Sequence, residues 1–148
     1  MLSKRDVLKS VMVGLALLAL PVMADGPVTV PEGSVALHYH RPDGNYAGWG
    51  VHAWKRSPGS SDQPLDGVSW FSPLTPDGKD DFGPYWIMKI ADFGKTGIVH
   101  YIIHKGDSKD QGGKDMEFNS AAMKEVWVVS GDSKLYPTKD AALAAVPK

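Results

Sequence analysis

The residues of this chain best placed to do chemistry are two rings, His52 and Trp54, separated by one alanine in the run Gly50-Val51-His52-Ala53-Trp54. In an extended strand, side chains two apart point to the same face. An imidazole and an indole therefore stand side by side on the face opposite Val51, a surface suited to a flat, weakly polar ligand. His38 and His40 share the same spacing, and with His52, His100 and His104 they raise the question of an imidazole metal site. No cysteine is present and no carboxylates are interleaved, so no metal or cofactor is assigned. Asp81-Phe82-Gly83 and Asp92-Phe93-Gly94 spell the magnesium triplet of protein kinases, but the glycine-rich loop, strand lysine and catalytic loop that give it meaning are missing. The lack of cysteine also removes disulfides and a thiolate nucleophile.

These rings need strands to hold them. Ser34 to His40 alternates Val35, Leu37 and Tyr39 with Ala36, His38 and His40, the period of a half-buried strand. Arg41 to Gly48 is a turn, and from it Trp49, Val51 and Ala53 share one face while Gly50, His52 and Trp54 share the other. Further strands are predicted at Pro84 to Ile90, Thr96 to Lys105, Met116 to Asn119, Glu125 to Val129 and Lys134 to Tyr136, with a short one at Val68 to Phe71. Ser57 to Gly67, Ser72 to Asp81 and Lys105 to Lys114 read as loops. Trp49, Trp86 and Trp127 are assigned to the core, and Trp70 lies beside loops at the rim of the ring-bearing face. Many short strands in one small chain predict an all-β, antiparallel, immunoglobulin-like β-sandwich. Thr138 to Val146 is alanine-rich and reads as a short helix capped by Thr138.

The first 24 residues have a different character. Lys4, Arg5 and Lys9 precede an apolar run from Val11 to Met23, and Val22-Met23-Ala24 ends it with the residues a signal peptidase reads, so residues 1–24 are expected to be a signal peptide. The run falls short of the roughly 20 residues a membrane span needs, and Pro21 interrupts it. Ser3 to Lys9 is similar to the twin-arginine export pattern, with Lys4 in place of its first arginine. Residues 25–33 then form an N-terminal leader, 34–136 the sandwich and 137–148 the tail or short helix. Without residues 1–24 the chain keeps 13 basic and 16 acidic side chains, a net charge of −3. Such a balance argues against nucleic acid and anionic membrane surfaces, which call for clustered positive charge.

Together with Val35 to Trp54, several later blocks resemble a known family. They are Asp80-Asp81-Phe82-Gly83 with Tyr85-Trp86, Ile102-Ile103-His104-Lys105-Gly106-Asp107, Lys109-Asp110, Lys114-Asp115 and Glu125-Val126-Trp127. In this order, over roughly residues 34 to 136, they resemble the pullulanase-associated, family 41 carbohydrate-binding modules, non-catalytic β-sandwiches that bind α-glucans. The resemblance implies that His52 and Trp54 are the stacking platform, with His52 where a second tryptophan is common, and so implies weaker stacking. It points to Lys109 and Asp115 for contacts to sugar hydroxyls, with Asp110 as an alternative to Asp115.

The function that follows is non-catalytic binding of α-glucan, such as starch, glycogen, maltodextrin or pullulan, by an exported periplasmic or extracellular domain, with separate glycoside hydrolases as candidate partners. Hydrolysis itself needs two carboxylates held roughly 5 to 9.5 Å apart across a sugar. No such pair can be named here, so the chain is not expected to be an enzyme. The alternative is an exported structural or protein-interaction sandwich that has lost the sugar site. The two differ in whether Trp54 is exposed beside Lys109 or buried.

Overall fold

The computed structural model describes residues 27–148, so the expected signal peptide lies outside the described residues. Among the described residues, nine strands build two sheets. They are β1 (Ser34–His40), β2 (Gly50–Lys55), β3 (Gln63–Pro64), β4 (Gly78–Lys79), β5 (Pro84–Lys89), β6 (Ile98–Lys105), β7 (Ser108–Lys109), β8 (Met116–Asn119) and β9 (Glu125–Val129). One sheet has the order β4-β5-β1-β9; the other runs β3-β2-β6-β7, with β8 also paired to β6. All pairs are antiparallel except β1 with β9, where Leu37 lies opposite Val126 and Tyr39 opposite Val128 in parallel register. The expected all-β antiparallel sandwich is present, with one parallel pair inside it. A parallel neighbour requires the chain to cross over, and here the connection from β1 to β9 runs through every strand of the second sheet as well as β4 and β5 of the first.

The core lies between the sheets. Val35, Leu37 and Tyr39 of β1, Trp86 and Met88 of β5 and Val126 and Val128 of β9 meet Val51 and Ala53 of β2, Val99, Tyr101 and Ile103 of β6 and Met116 and Phe118 of β8. Each set obeys the two-residue period, because only one side of each strand faces the partner sheet. The outer faces behave differently from one another. Six of the seven residues of β1 are buried instead of three, because the outer side of the first sheet is covered too. There Phe82, Val129 and Ala142 form a second small cluster, with Trp127 and Tyr136 packed on it. The helix α1 (Lys139–Ala144) supplies Ala142 and begins where expected, the Thr138 hydroxyl accepting from the Ala141 N–H at 3.1 Å.

Of the tryptophans assigned to the core, Trp86 is fully buried, with its indole N–H donating to the Leu74 carbonyl at 2.9 Å. Trp49 is half-buried at the core edge, beneath the Arg41 guanidinium. Trp127 does not belong to the main core. Its parity is that of His38, and the two rings stack on the outer face of the first sheet with centroids 4.7 Å apart. Two other expectations are corrected. Val68 to Phe71 is not a strand but leads into a tight turn, and Lys134 to Tyr136 contributes only the single bridge of Tyr136 to Trp127.

Candidate functional site

The outer face of the second sheet carries the rings. In β2 the outward residues are Gly50, His52 and Trp54; across the strand pair they meet His104, Ile102 and His100 in turn. This register makes a row of aromatics. His100 and Trp54 have centroids 5.7 Å apart at 22°, Trp54 and His52 5.7 Å at 30°, and His52 meets Trp70 edge-on at 5.5 Å. The row continues to His104, which lies parallel to Trp70 at 3.7 Å. Local strand geometry accounts for four of the five rings. Trp70 arrives from elsewhere.

Trp70 reaches the sheet because Gly50 lets its loop lie down. A Cβ on Gly50 would fall 2.9 Å from Pro73 Cγ and 3.0 Å from the Leu74 carbonyl oxygen, both closer than packed atoms approach. With hydrogen there instead, residues 69–74 run along β2, and Val51 and Leu74 exchange backbone hydrogen bonds of 3.1 and 2.8 Å. The Trp70 indole N–H then donates to Asp107 at 3.0 Å, which fixes the ring from its edge as His104 fixes it from its face.

His52, Trp54 and Trp70, with Asp62, Pro64, Ile102 and Asp115, line an open cleft of about 310 Å³. The charged groups divide clearly. Asp115 lines the cleft and is exposed. Lys109 is exposed on β7 opposite His104, and its ammonium lies 5.5 Å from the Trp70 ring centre, beside Trp70 and not beside Trp54. Asp62 was not foreseen; it is held by Arg56 through two hydrogen bonds of 2.8 and 2.7 Å, and that guanidinium keeps its carboxyl below the ordinary range. Asp110 does not belong to the cleft. It is buried at one end of the sandwich, accepting from the Tyr39 hydroxyl, the Gly131 N–H at 2.7 Å and the Gln111 N–H at 2.6 Å, with Arg41 at 3.6 Å. Burial pushes its carboxyl up, and those donors more than offset it, so the net shift is downward. The alternative of Asp110 for Asp115 is therefore withdrawn.

The expected open indole plane is also modified. Trp54 is only 5% exposed, flanked by His52 and His100 and paired across the sheet edge with Pro64. What it offers the cleft is a narrow margin, and its indole nitrogen is buried without a hydrogen-bond partner among the described residues. The more accessible rings are His52 and Trp70, both half-buried. Desolvation lowers the His52 pKa, and the neighbouring His104 lowers it further; the His100 pKa is likewise lowered, by burial first and Arg56 second. Both side chains are thus biased toward the neutral form, which can lie against a weakly polar ligand. Sequence reasoning placed Trp70 only at the rim and did not find His100 or Asp62 as neighbours; only the outward parity of His100 in β6 was readable beforehand.

The chain is a small two-sheet β-sandwich with rings and carboxylates gathered in an open cleft on one outer face. Residues 33–137 match the family model described as the bacterial pullanase-associated domain, and the chain belongs to that family. A stretch of 74 residues is 40% identical to an alpha-amylase of Streptomyces lividans, covering 50% of this chain and 7% of that protein. Another of 71 residues is 28% identical to a pullulanase of Klebsiella aerogenes, covering 48% and 6%. The chain thus spans less than a tenth of these relatives' length. Among solved structures, ligand-free PulA from Klebsiella pneumoniae superposes with a TM-score of 0.65 at 22% identity, over 85% of this chain and 13% of that one. A structure of α-glucan recognition by family 41 carbohydrate-binding modules from streptococcal virulence factors gives 0.61 at 20%, over 78% and 52%. At such identities the likeness is one of fold.

Proposed function

We propose that this chain is a non-catalytic, exported domain that binds α-1,4-linked glucan. The observation that carries this reading is the cleft where His52, Trp54 and Trp70 converge with Asp115. The C–H faces of a glucose ring pack on aromatic planes, and its hydroxyls both donate and accept, so a ring-lined cleft with carboxylates at its margin matches a sugar on both counts. Membership of the pullulanase-associated family supports the same substrate class, and the streptococcal family 41 modules of similar fold recognise α-glucan. Lys109, beside Trp70, serves a hydroxyl of a neighbouring glucose. With half-buried rings and few polar contacts, affinity falls in the weak range, roughly 10 μM to 1 mM. Native electrophoresis in gels with and without glycogen tests the reading: retardation by glycogen is expected, and equal mobility in both gels refutes it.

A second reading, an exported structural or protein-interaction sandwich, is favoured by one observation, the 5% exposure of Trp54. It predicts equal mobility in the same gels.

A further inference from the structure

Phe71 is 93% exposed, far more than Leu143, the only other large exposed hydrophobic among the described residues. Ser69 and Ser72 exchange backbone hydrogen bonds, 3.1 Å each, so Trp70 and Phe71 are the two residues at the tip of a tight antiparallel turn. Neither residue takes a positive φ, so the turn makes no demand for glycine or asparagine at its tip and leaves both positions free to carry large side chains. Trp70 folds back onto His104, while Phe71 points into solvent and covers nothing of its own chain.

The turn is also held firmly. Asp107 and His104 fix Trp70, and the Val51 to Leu74 hydrogen bonds fix the strand-like segment that follows. A ring presented on a pinned turn loses little freedom when a ligand covers it. Consecutive Cα atoms are about 3.8 Å apart, so Phe71 lies one residue beyond a ring that lines the cleft. A glucan seated against Trp70 would need to extend only a short way past the turn to meet the Phe71 ring.

Resting on the α-glucan reading, we propose that Phe71 is an outlying sugar contact that makes the site select for chain length. A short oligosaccharide fills the cleft and misses Phe71. A longer chain or polymer stacks a further glucose on it. The polar surroundings of the turn, Ser69 and Ser72, leave Phe71 as an isolated ring, which suits a single sugar better than an extended protein surface.

The test is calorimetry of the folded protein and of Phe71→Ser and Phe71→Tyr with maltotriose and maltoheptaose, alongside glycogen gels. Phe71→Ser is expected to bind maltotriose within twofold of the parent and to bind maltoheptaose and glycogen at least fivefold more weakly, with Phe71→Tyr restoring both. Equal maltoheptaose affinity in parent and Phe71→Ser overturns the proposal while leaving the α-glucan reading in place. A parent protein that binds none of the three sugars overturns both.

Discussion

The Trp70 indole lies parallel to the His104 imidazole, with ring centroids 3.7 Å apart and planes 5° apart. This contact joins a loop far along the chain to β6 and turns a two-ring strand motif into a cleft. Within the ring row Trp54 and Trp70 flank His52, and His100 and His104 close its two ends.

Trp70→Ala is therefore the cleaner probe of ligand binding. Trp70 is half-buried and fixed mainly by surface contacts, whereas Trp54 is almost fully covered. Loss of one stacking ring is worth about 1 to 2 kcal/mol, roughly a 5- to 30-fold weaker affinity for maltoheptaose by calorimetry. Trp54→Ala should weaken binding too, but at a stability cost of roughly 3 to 5 kcal/mol from the cavity left behind. Thermal denaturation of the two variants separates the effects. A Trp70→Ala protein with parental affinity would remove Trp70 from the site.

Gly50→Val should undo the cleft without touching a ring. Its side chain would collide with Pro73 and the Leu74 carbonyl and lift residues 69–74 from β2. Overpacking of this kind costs about 1 to 3 kcal/mol. Tryptophan fluorescence should report a more solvated Trp70, and glycogen retardation should be lost. An unchanged emission spectrum would show that the loop is held elsewhere.

Acidification should weaken both fold and binding. His52 and His100 have pKa values lowered in the folded protein, from the ordinary value of 6.5. Above that value both are neutral in the folded and unfolded states. As pH falls through it the unfolded chain takes up protons first, so the stabilising contribution present at neutral pH is lost progressively toward the folded-state values. Sugar over His52 would deepen its desolvation, so affinity falls in the same direction. Urea titrations between pH 7.5 and 5, with His52→Gln as reference, check this: the variant should lose part of the slope. Affinity that rises on acidification would place His52 outside the contact.

Asp110 and Asp115 should part company on substitution. Asp110 holds Tyr39, Gln111 and Gly131 together, so Asp110→Ala should cost roughly 3 kcal/mol, in keeping with the loss of buried charge-assisted hydrogen bonds. Asp115→Asn should change stability by less than about 0.5 kcal/mol, as surface substitutions usually do, and weaken binding several-fold. Chemical denaturation paired with calorimetry distinguishes them; the reverse pattern would return Asp110 to the candidate site.

Much of this was readable from the chain alone, for a local reason. A strand's side chains alternate, so the parity of His52 and Trp54 against Val51 and Ala53 fixed which residues face out, and the Thr138 hydroxyl marked the start of α1. Alternation says which side a residue faces, not what covers that side. Trp127 and His38 face outward yet lie beneath Phe82 and α1's neighbours, and Trp54 faces outward yet is 5% exposed, because coverage depends on segments distant in sequence. The parallel pairing of β1 with β9, the descent of Trp70 onto His104 and the withdrawal of Asp110 into the interior are all decided by such long-range contacts. Asp110 and Asp115 are five positions apart, and only the three-dimensional path of the loop makes one a structural anchor and the other a wall of the cleft.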